Sequence, residues 1–142
     1  MRHDRDTAAV DDFNRVHGAF TSYLGIEYDE VSPDRVVAHW RADPRLHQRH
    51  GIVHGGVMCS VVESLASVGP QVWFGDRGRV VGVSNSTDFY RPVRETDVRS
   101  VATPVHRGRL QQVWVVEIRD DQDELVARGQ VRLQNLPADP AT

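Results

Sequence analysis

Hydrophobic positions change period several times along this chain, and each change marks an element. From Val10 to Leu24, apolar residues fall at Phe13, Val16, Phe20 and Leu24; gaps of three and four predict one amphipathic helix. Gly25 follows as its stop. Residues 26–31 and 35–41 have the pattern of strands, with Ser32-Pro33-Asp34 as the turn between them. Val36, Ala38 and Trp40 alternate with Val37, His39 and Arg41, as in a half-buried strand. Residues 42–53 have no clear period and predict an irregular loop. A second, longer helix runs from about Gly55 to Phe74 and ends near Gly75-Asp76. Four strand-like runs follow, at 79–90, 96–106, 110–120 and 124–134, and their short turns favour an antiparallel meander.

Helix, two strands, helix, four strands is an α+β order: an antiparallel sheet of about five to six strands packed on one long helix. The length, 142 residues, suits one domain spanning 1–142. Residues 1–8 and 137–142 read as loose ends, leaving an ordered core of about 10–136.

The helix at 55–74 has two unlike faces. Val57, Val61, Leu65 and Val68, extended by Met58, form an apolar stripe for the sheet. The opposite face holds Gly56, Cys59, Ser60, Glu63, Ser64 and Ser67. A solvated face usually carries several long charged residues; this one has only Glu63 amid small side chains, which permit close approach of a backbone or a thin ligand. Glu63 and Ser67, four apart, are neighbours on it.

The segment entering this helix is Gln48-Arg49-His50-Gly51-Ile52-Val53-His54-Gly55-Gly56. Two glycines at a helix start leave backbone N–H groups reachable, at the positive end of the helix dipole. That is a place for a developing oxyanion. With His54, Gln48 and Glu63, the groups needed for acyl chemistry are present. Gly55 and Glu63 lie eight residues apart, about 12 Å along one helix, too far to share one carbonyl. A second copy running antiparallel brings Glu63 of one chain near Gly55 of the other, so the spacing predicts a homodimer with composite sites.

Composition narrows the partners. Seventeen basic residues, all Arg, against twenty acidic ones give a net charge of −3, which carries no footprint for nucleic acid. The single cysteine, Cys59, excludes an internal disulfide and a multi-Cys zinc site. No apolar run approaches the ~20 residues of a membrane span, and the charged start has no signal-peptide core behind it, so the expected compartment is the cytoplasm. His47, His50, His54 and Glu63 invite a metal reading, but Gly51 interrupts helical spacing, and no metal is assigned. Cys59 has no base placed beside it by sequence and is read as packing. Trp40, Trp73 and Trp114 are read as core or interface fillers.

His54-Gly55-Gly56-Val57 followed by Glu63 and Ser67 resembles the hotdog-fold acyl-CoA thioesterases, specifically the branch acting on 4-hydroxybenzoyl-CoA and 1,4-dihydroxy-2-naphthoyl-CoA. Phenylacetate-pathway thioesterases, a related branch, have Asp in place of this Glu. The likeness runs from about residue 12 to 135 and implies a long central helix wrapped by the sheet. It implies that Glu63 is the catalytic carboxylate, as nucleophile or as general base on water. It makes Gly55 the N–H that polarises the thioester carbonyl. Gln48 and His54 then orient that carbonyl or help the thiolate leave, and Ser67 helps hold the water. Gly82, Phe89, Tyr90, Arg91 and Pro92 resemble the segment along which the CoA arm lies; His106-Arg107-Gly108-Arg109 resembles the turn meeting the nucleotide phosphates. Ser86 and Asp88 depart from the Asn often found there in the family.

The activity implied is hydrolysis of an aromatic acyl-CoA to acid and free CoA, with no cofactor and with homotetramers common. Medium-chain acyl groups stay open, and Val57, Met58, Val68, Val72 and Trp73 are candidates to shape the acyl pocket. Two rival functions stand beside it. A hotdog dehydratase or hydratase usually places its His before a Pro-containing turn, and no Pro lies between Arg45 and Gly69. A non-catalytic acyl-CoA-binding domain has no need of Glu63, Gln48, His54 and Ser67 together.

Overall fold

The computed structural model describes residues 2–139, with side chains from residue 7 onward. The elements are α1 (Arg2–Arg15), α2 (Ala19–Leu24), β1 (Glu27–Val31), β2 (Val36–Ala42), α3 (Gly55–Phe74), β3 (Gly78–Phe89), β4 (Thr96–Arg107), β5 (Gln111–Arg119) and β6 (Leu125–Pro137). Short 3-10 turns stand at Pro44–Leu46 and Gly75–Arg77.

The single helix expected at 10–24 is two helices, broken at Val16-His17-Gly18. The break divides the apolar stripe. Leu24 is buried, whereas Val16 and Phe20 are 70% and 61% exposed. Gly25, at φ 75°, closes α2 in the left-handed conformation that favours glycine. Helix α1 starts at Arg2, so residues 2–8 are helical, not loose; at the other end β6 includes Pro137, and residues 140–142 lie outside the described residues.

Helix α3 has the predicted bounds and buries Met58, Val61, Val62, Leu65, Ala66 and Val68. Val57 is only half-buried. These side chains meet one face of a six-stranded antiparallel sheet, ordered β1-β2-β4-β5-β6-β3. Trp40 and Trp114 are filled into that layer, 2% and 0% exposed. Both indoles keep a partner there: Trp40 donates to Ser100 Oγ at 3.1 Å and Trp114 to Gln112 Oε1 at 2.9 Å. A buried indole N–H without an acceptor would cost ~1–3 kcal/mol.

The meander holds for β4, β5 and β6 but not for β3, which pairs with β6 at the sheet edge. Residues 90–95 therefore cross from that edge to β4 in the middle of the sheet. Tyr90 and Arg91 still bond Val126 O, and Val93 is buried with its carbonyl accepting Val53 N–H at 2.7 Å. The crossing brings Phe89–Val93 over the start of α3. As an edge strand, β3 is exposed along most of its twelve residues, including Val81 at 42% and Val83 at 49%. The long helix wrapped by an antiparallel sheet is the hotdog arrangement.

Candidate active site

The approach to α3 is held by main-chain bonds. Gln48 N–H donates to Ile52 O at 2.8 Å and Gly51 N–H to Gln48 O at 3.1 Å, closing a tight turn. Inside it, Gln48 Oε1 accepts from His50 N–H. His54 N–H donates to Leu46 O at 2.9 Å, and its carbonyl accepts from Val57.

His54 is the N-cap of α3: its Nδ1 accepts Gly56 N–H at 2.8 Å. A neutral imidazole that accepts at Nδ1 carries its proton on Nε2. The exposed ring is thus both a helix cap and an outward donor. Gly55 N–H, beside it, bonds to no group among the described residues. It lies on a cavity of about 430 Å³ lined also by Gln48, Met58, Phe89, Tyr90 and Pro92. An ideal Cβ on Gly55 would sit 2.9 Å from the Phe89 ring, so glycine allows that ring to close over the helix start.

Glu63, near the middle of the small-residue face, lines a different cavity of about 340 Å³ with Ser64 and Ser67. Within one protomer the Gly55 amide and the Glu63 carboxylate face separate spaces, as their eight-residue separation requires. Glu63 is half-buried and pairs with no cation among the described residues. Asn85 of β3 fixes it instead. Asn85 Nδ2 donates to Glu63 Oε2 at 3.2 Å and to Cys59 O at 3.1 Å, while its Oδ1 accepts from Thr87 at 2.7 Å. Gly82 lies directly against the carboxylate, where a Cβ would overlap Oε1.

The structure brings together some of the expected site residues and separates others. Phe89, Tyr90, Arg91 and Pro92 line the Gly55 cavity; Gly82 does not, being packed on Glu63. Ser67 Oγ donates to the Glu63 backbone carbonyl at 2.7 Å, not to the carboxylate. Met58 lines the Gly55 cavity, Val68 the Glu63 cavity, and Val57 a third one beside His54.

At the β4–β5 turn, Arg107 is already engaged. It donates to Pro33 O at 2.8 Å and Asp34 Oδ1 at 2.9 Å, and lies 5.5 Å from the centre of the Trp73 ring. Trp73 is thus half-buried under two guanidiniums, Arg77 being the nearer at 4.5 Å, instead of filling the core. Arg109 is exposed, and its guanidinium has no partner among the described residues. His106 is exposed and packs against Gly108. Asn135, buried, holds this turn from below by donating to Gly108 O and Arg109 O at 3.0 and 3.2 Å.

Three groups near the site have no signal in the sequence pattern. Asn85 sits in a run of small polar residues that reads as a solvated strand. Tyr28, buried on β1, has its phenol pushed up to about 12 by burial. His17, at the helix break, shares the Glu63 cavity. No cluster of three or more His, Cys, Asp or Glu side chains that could hold a metal occurs among the described residues. No helix there is long and apolar enough to cross a membrane.

Comparison with known proteins bears on this arrangement. A family model described as the thioesterase superfamily matches residues 50–127, which include α3 and most of the sheet. A candidate esterase of Mycobacterium tuberculosis is 50% identical over 124 residues, covering 85% of this chain and 89% of that protein. The proofreading thioesterase EntH of Cronobacter turicensis is 36% identical over 105 residues, covering 74% and 77%. Among solved structures, AziG of S. sahachiroi is 54% identical with a TM-score of 0.84, covering 85% of this chain and 98% of that one.

Proposed function

The chain belongs to the thioesterase superfamily and is a thioester hydrolase; from that premise we propose that it hydrolyses an acyl-CoA, with an aromatic acyl group, to the carboxylic acid and free CoA. The observation that carries this is the Gly55 N–H. It is unpartnered, stands at the first turn of a twenty-residue helix, and lines a cavity large enough for an acyl thioester. An amide held there in advance can accept the charge that develops on the thioester oxygen, and losing such a donor typically costs ~3–4 kcal/mol of barrier.

The acid comes from a second protomer. Two copies with α3 antiparallel place Glu63 of one beside Gly55 of the other. The small face of α3 permits the approach, and the open edge of β3 favours it: a long, partly apolar edge strand without Pro is usually covered. A homodimer with two composite sites follows, and a homotetramer is the larger assembly the family likeness suggests.

In the proposed reaction, the carbonyl oxygen accepts from Gly55 N–H, with Gln48 at the cavity wall to orient the thioester. Glu63, held by Asn85 and free of any cation, attacks the carbonyl carbon or removes a proton from the attacking water. Attack makes a C–O bond, and collapse of the tetrahedral species breaks the C–S bond; where Glu63 itself attacks, water then hydrolyses the mixed anhydride, releasing the acid and regenerating the carboxylate. The leaving thiolate can accept a hydrogen bond from His54 Nε2–H, and its proton comes from the attacking water, by way of Glu63 where Glu63 acts as the base. Ser67, its hydroxyl tied to the helix carbonyl, contributes its oxygen as a water acceptor. Water is the only co-reactant in this scheme.

Phe89 and Tyr90 over the Gly55 cavity, with Arg91 and Pro92, suit the pantetheine arm, and the unpaired Arg109 suits a phosphate. A CoA thioester also fits a cytoplasmic location. The relative named as a proofreading thioesterase supports hydrolysis over dehydration.

Colorimetric thiol release from a panel of aryl-, short- and long-chain CoA esters and an acyl carrier protein ester tests the proposal. Wild type should turn over aryl-CoA fastest. Glu63→Gln should keep the fold and lose most of its turnover. Equal slow release by wild type and Glu63→Ala would overturn the enzymatic role given to Glu63.

A further inference from the structure

Glu63 lines the cavity walled by Phe13, His17 and Tyr28, and its carboxylate also touches the edge strand β3. The two oxygens have different surroundings there. Oε2 accepts from Asn85 Nδ2 at 3.2 Å; Oε1 lies against Gly82 and has no hydrogen-bond partner among the described residues. Oε1 nonetheless reaches solvent, because among the described residues the only buried side-chain polar atom without a partner is His17 Nε2. One anchored oxygen and one open oxygen suit a carboxylate that must react. A neutral donor restrains the group, and the lone pairs of the second oxygen stay free.

Asn85 can hold that place in one orientation only. Its Nδ2 also donates to Cys59 O, one turn before Glu63 on α3, and its Oδ1 accepts from Thr87 Oγ1 at 2.7 Å. Turned over, the amide would set Oδ1 against two acceptors, the carboxylate and Cys59 O. The Thr87 hydroxyl, as donor, keeps the amide the right way round. Asn85 and Thr87 lie two apart on β3 and so share a face of the strand. Thr87 stands opposite Gly129 of β6, where a Cβ would meet Thr87 Oγ1 at 2.5 Å. The glycine leaves the hydroxyl its room.

We propose that Asn85, oriented by Thr87, is a positioning residue for the reaction: it anchors Oε2 and thereby selects Oε1 as the oxygen that attacks the carbonyl or takes the proton from water. This rests on the thioesterase reading, in which Glu63 is the reacting acid. Asn85 acts through Glu63 and touches no reacting atom itself. A glutamate without this clamp samples several side-chain rotamers, and only a fraction of them present Oε1 at attack distance. The effect falls on kcat and not on ester binding.

The test is steady-state thiol release from an aryl-CoA ester by wild type, Asn85→Leu, Thr87→Val and Thr87→Ser. Asn85→Leu, similar in size but without a donor, should lower kcat about tenfold to a hundredfold with KM within about twofold. Thr87→Val should lower kcat by about threefold to tenfold, the worth of one hydrogen bond, and Thr87→Ser should restore it to within about twofold of wild type. In a Glu63→Ala background, Asn85→Leu should change the residual rate by less than about twofold, since nothing is left to position; a merely structural role costs the same factor in both backgrounds. NMR of isotope-labelled protein reads the clamp without catalysis: the Asn85 side-chain amide signals should move in Glu63→Ala and in Thr87→Val, and stay near wild type in Thr87→Ser. Absence of thiol release from every ester by wild type would count against the thioesterase reading alone, because the amide signals still decide whether Asn85 holds Glu63. An unchanged kcat in Asn85→Leu, equal losses in the two backgrounds, or amide signals indifferent to Glu63 would overturn the role given to Asn85.

Discussion

Gly82 on β3 and Glu63 on α3 are packed so closely that a methyl group on Gly82 would overlap the glutamate Oε1. The contact is not about backbone freedom. It lets an edge strand serve as a flat seat for a carboxylate, while Asn85 three residues on holds the other oxygen at 3.2 Å. Gly82→Ala should therefore act on chemistry more than on folding. The strand is exposed and tolerates alanine, but the carboxylate must move. A displacement of ~1 Å at a reacting group can cost roughly a hundredfold in rate. Circular dichroism and thermal unfolding close to wild type, with kcat down by one to two orders of magnitude, is the expected pair of results.

Composite sites make a sharper demand on two crippled variants. Glu63→Ala removes the acid. Gly55→Pro removes the oxyanion donor at the first helical position, where proline is well tolerated; Phe89, 54% exposed, can swing aside. Each homodimer should be inactive. A mixed dimer keeps one intact site, formed by the native Gly55 of one protomer and the native Glu63 of the other. Random re-association of an equal mixture should recover about a quarter of wild-type activity. No recovery after demonstrated subunit exchange would mean that the two groups do not share a site.

The local signals in the chain were legible, and the non-local ones were not. Helix α3 shows in the sequence because a 3.6-residue period persists for five turns between Gly55 and Gly75. The lone carboxylate on its small face, and the glycine pair at its start, stand out for the same reason. The helix break at Val16–Gly18 hides because Phe13, Val16, Phe20 and Leu24 keep helical spacing across it. The partner of β3 is a tertiary choice. Six residues between Phe89 and Thr96 suit a hairpin as well as a crossing, and only the burial of Val93 and its bond to Val53 show which is made. Asn85 and His17 reach Glu63 and its cavity from segments 22 and 46 positions away, and no spacing rule connects them.

The two arginines of the β4–β5 turn should separate cleanly. Arg109 is exposed and unpaired, free to meet a phosphate; Arg107 is committed to Pro33, Asp34 and Trp73. Arg109→Ala should raise KM for CoA esters several-fold with kcat nearly unchanged, and the effect should shrink in high salt as screening weakens the contact. Arg107→Ala should leave KM within about twofold and cost ~1–2 kcal/mol of stability: its partner Asp34 is largely exposed, but the guanidinium, 27% exposed, also loses its bond to Pro33 O and its place over Trp73. Steady-state kinetics at two ionic strengths and denaturant unfolding of both variants check the assignment.

Tyr28 couples the wall of the Glu63 cavity to alkaline stability. Burial pushes its phenol from the ordinary value of 10 up to about 12. Between those values the unfolded chain has released the proton and the folded chain still holds it. The unfolded state therefore binds fewer protons, and stability falls as pH rises. The contribution is fully present below about pH 10 and is lost progressively up to about pH 12, amounting to ~2–3 kcal/mol. Tyr28→Phe has no proton to lose there. Urea unfolding at about pH 9 and about pH 11.5 should show wild type losing ~2 kcal/mol more than the variant over that interval. Parallel losses in both proteins would mean that the Tyr28 phenol ionises as freely in the folded chain as in the unfolded one.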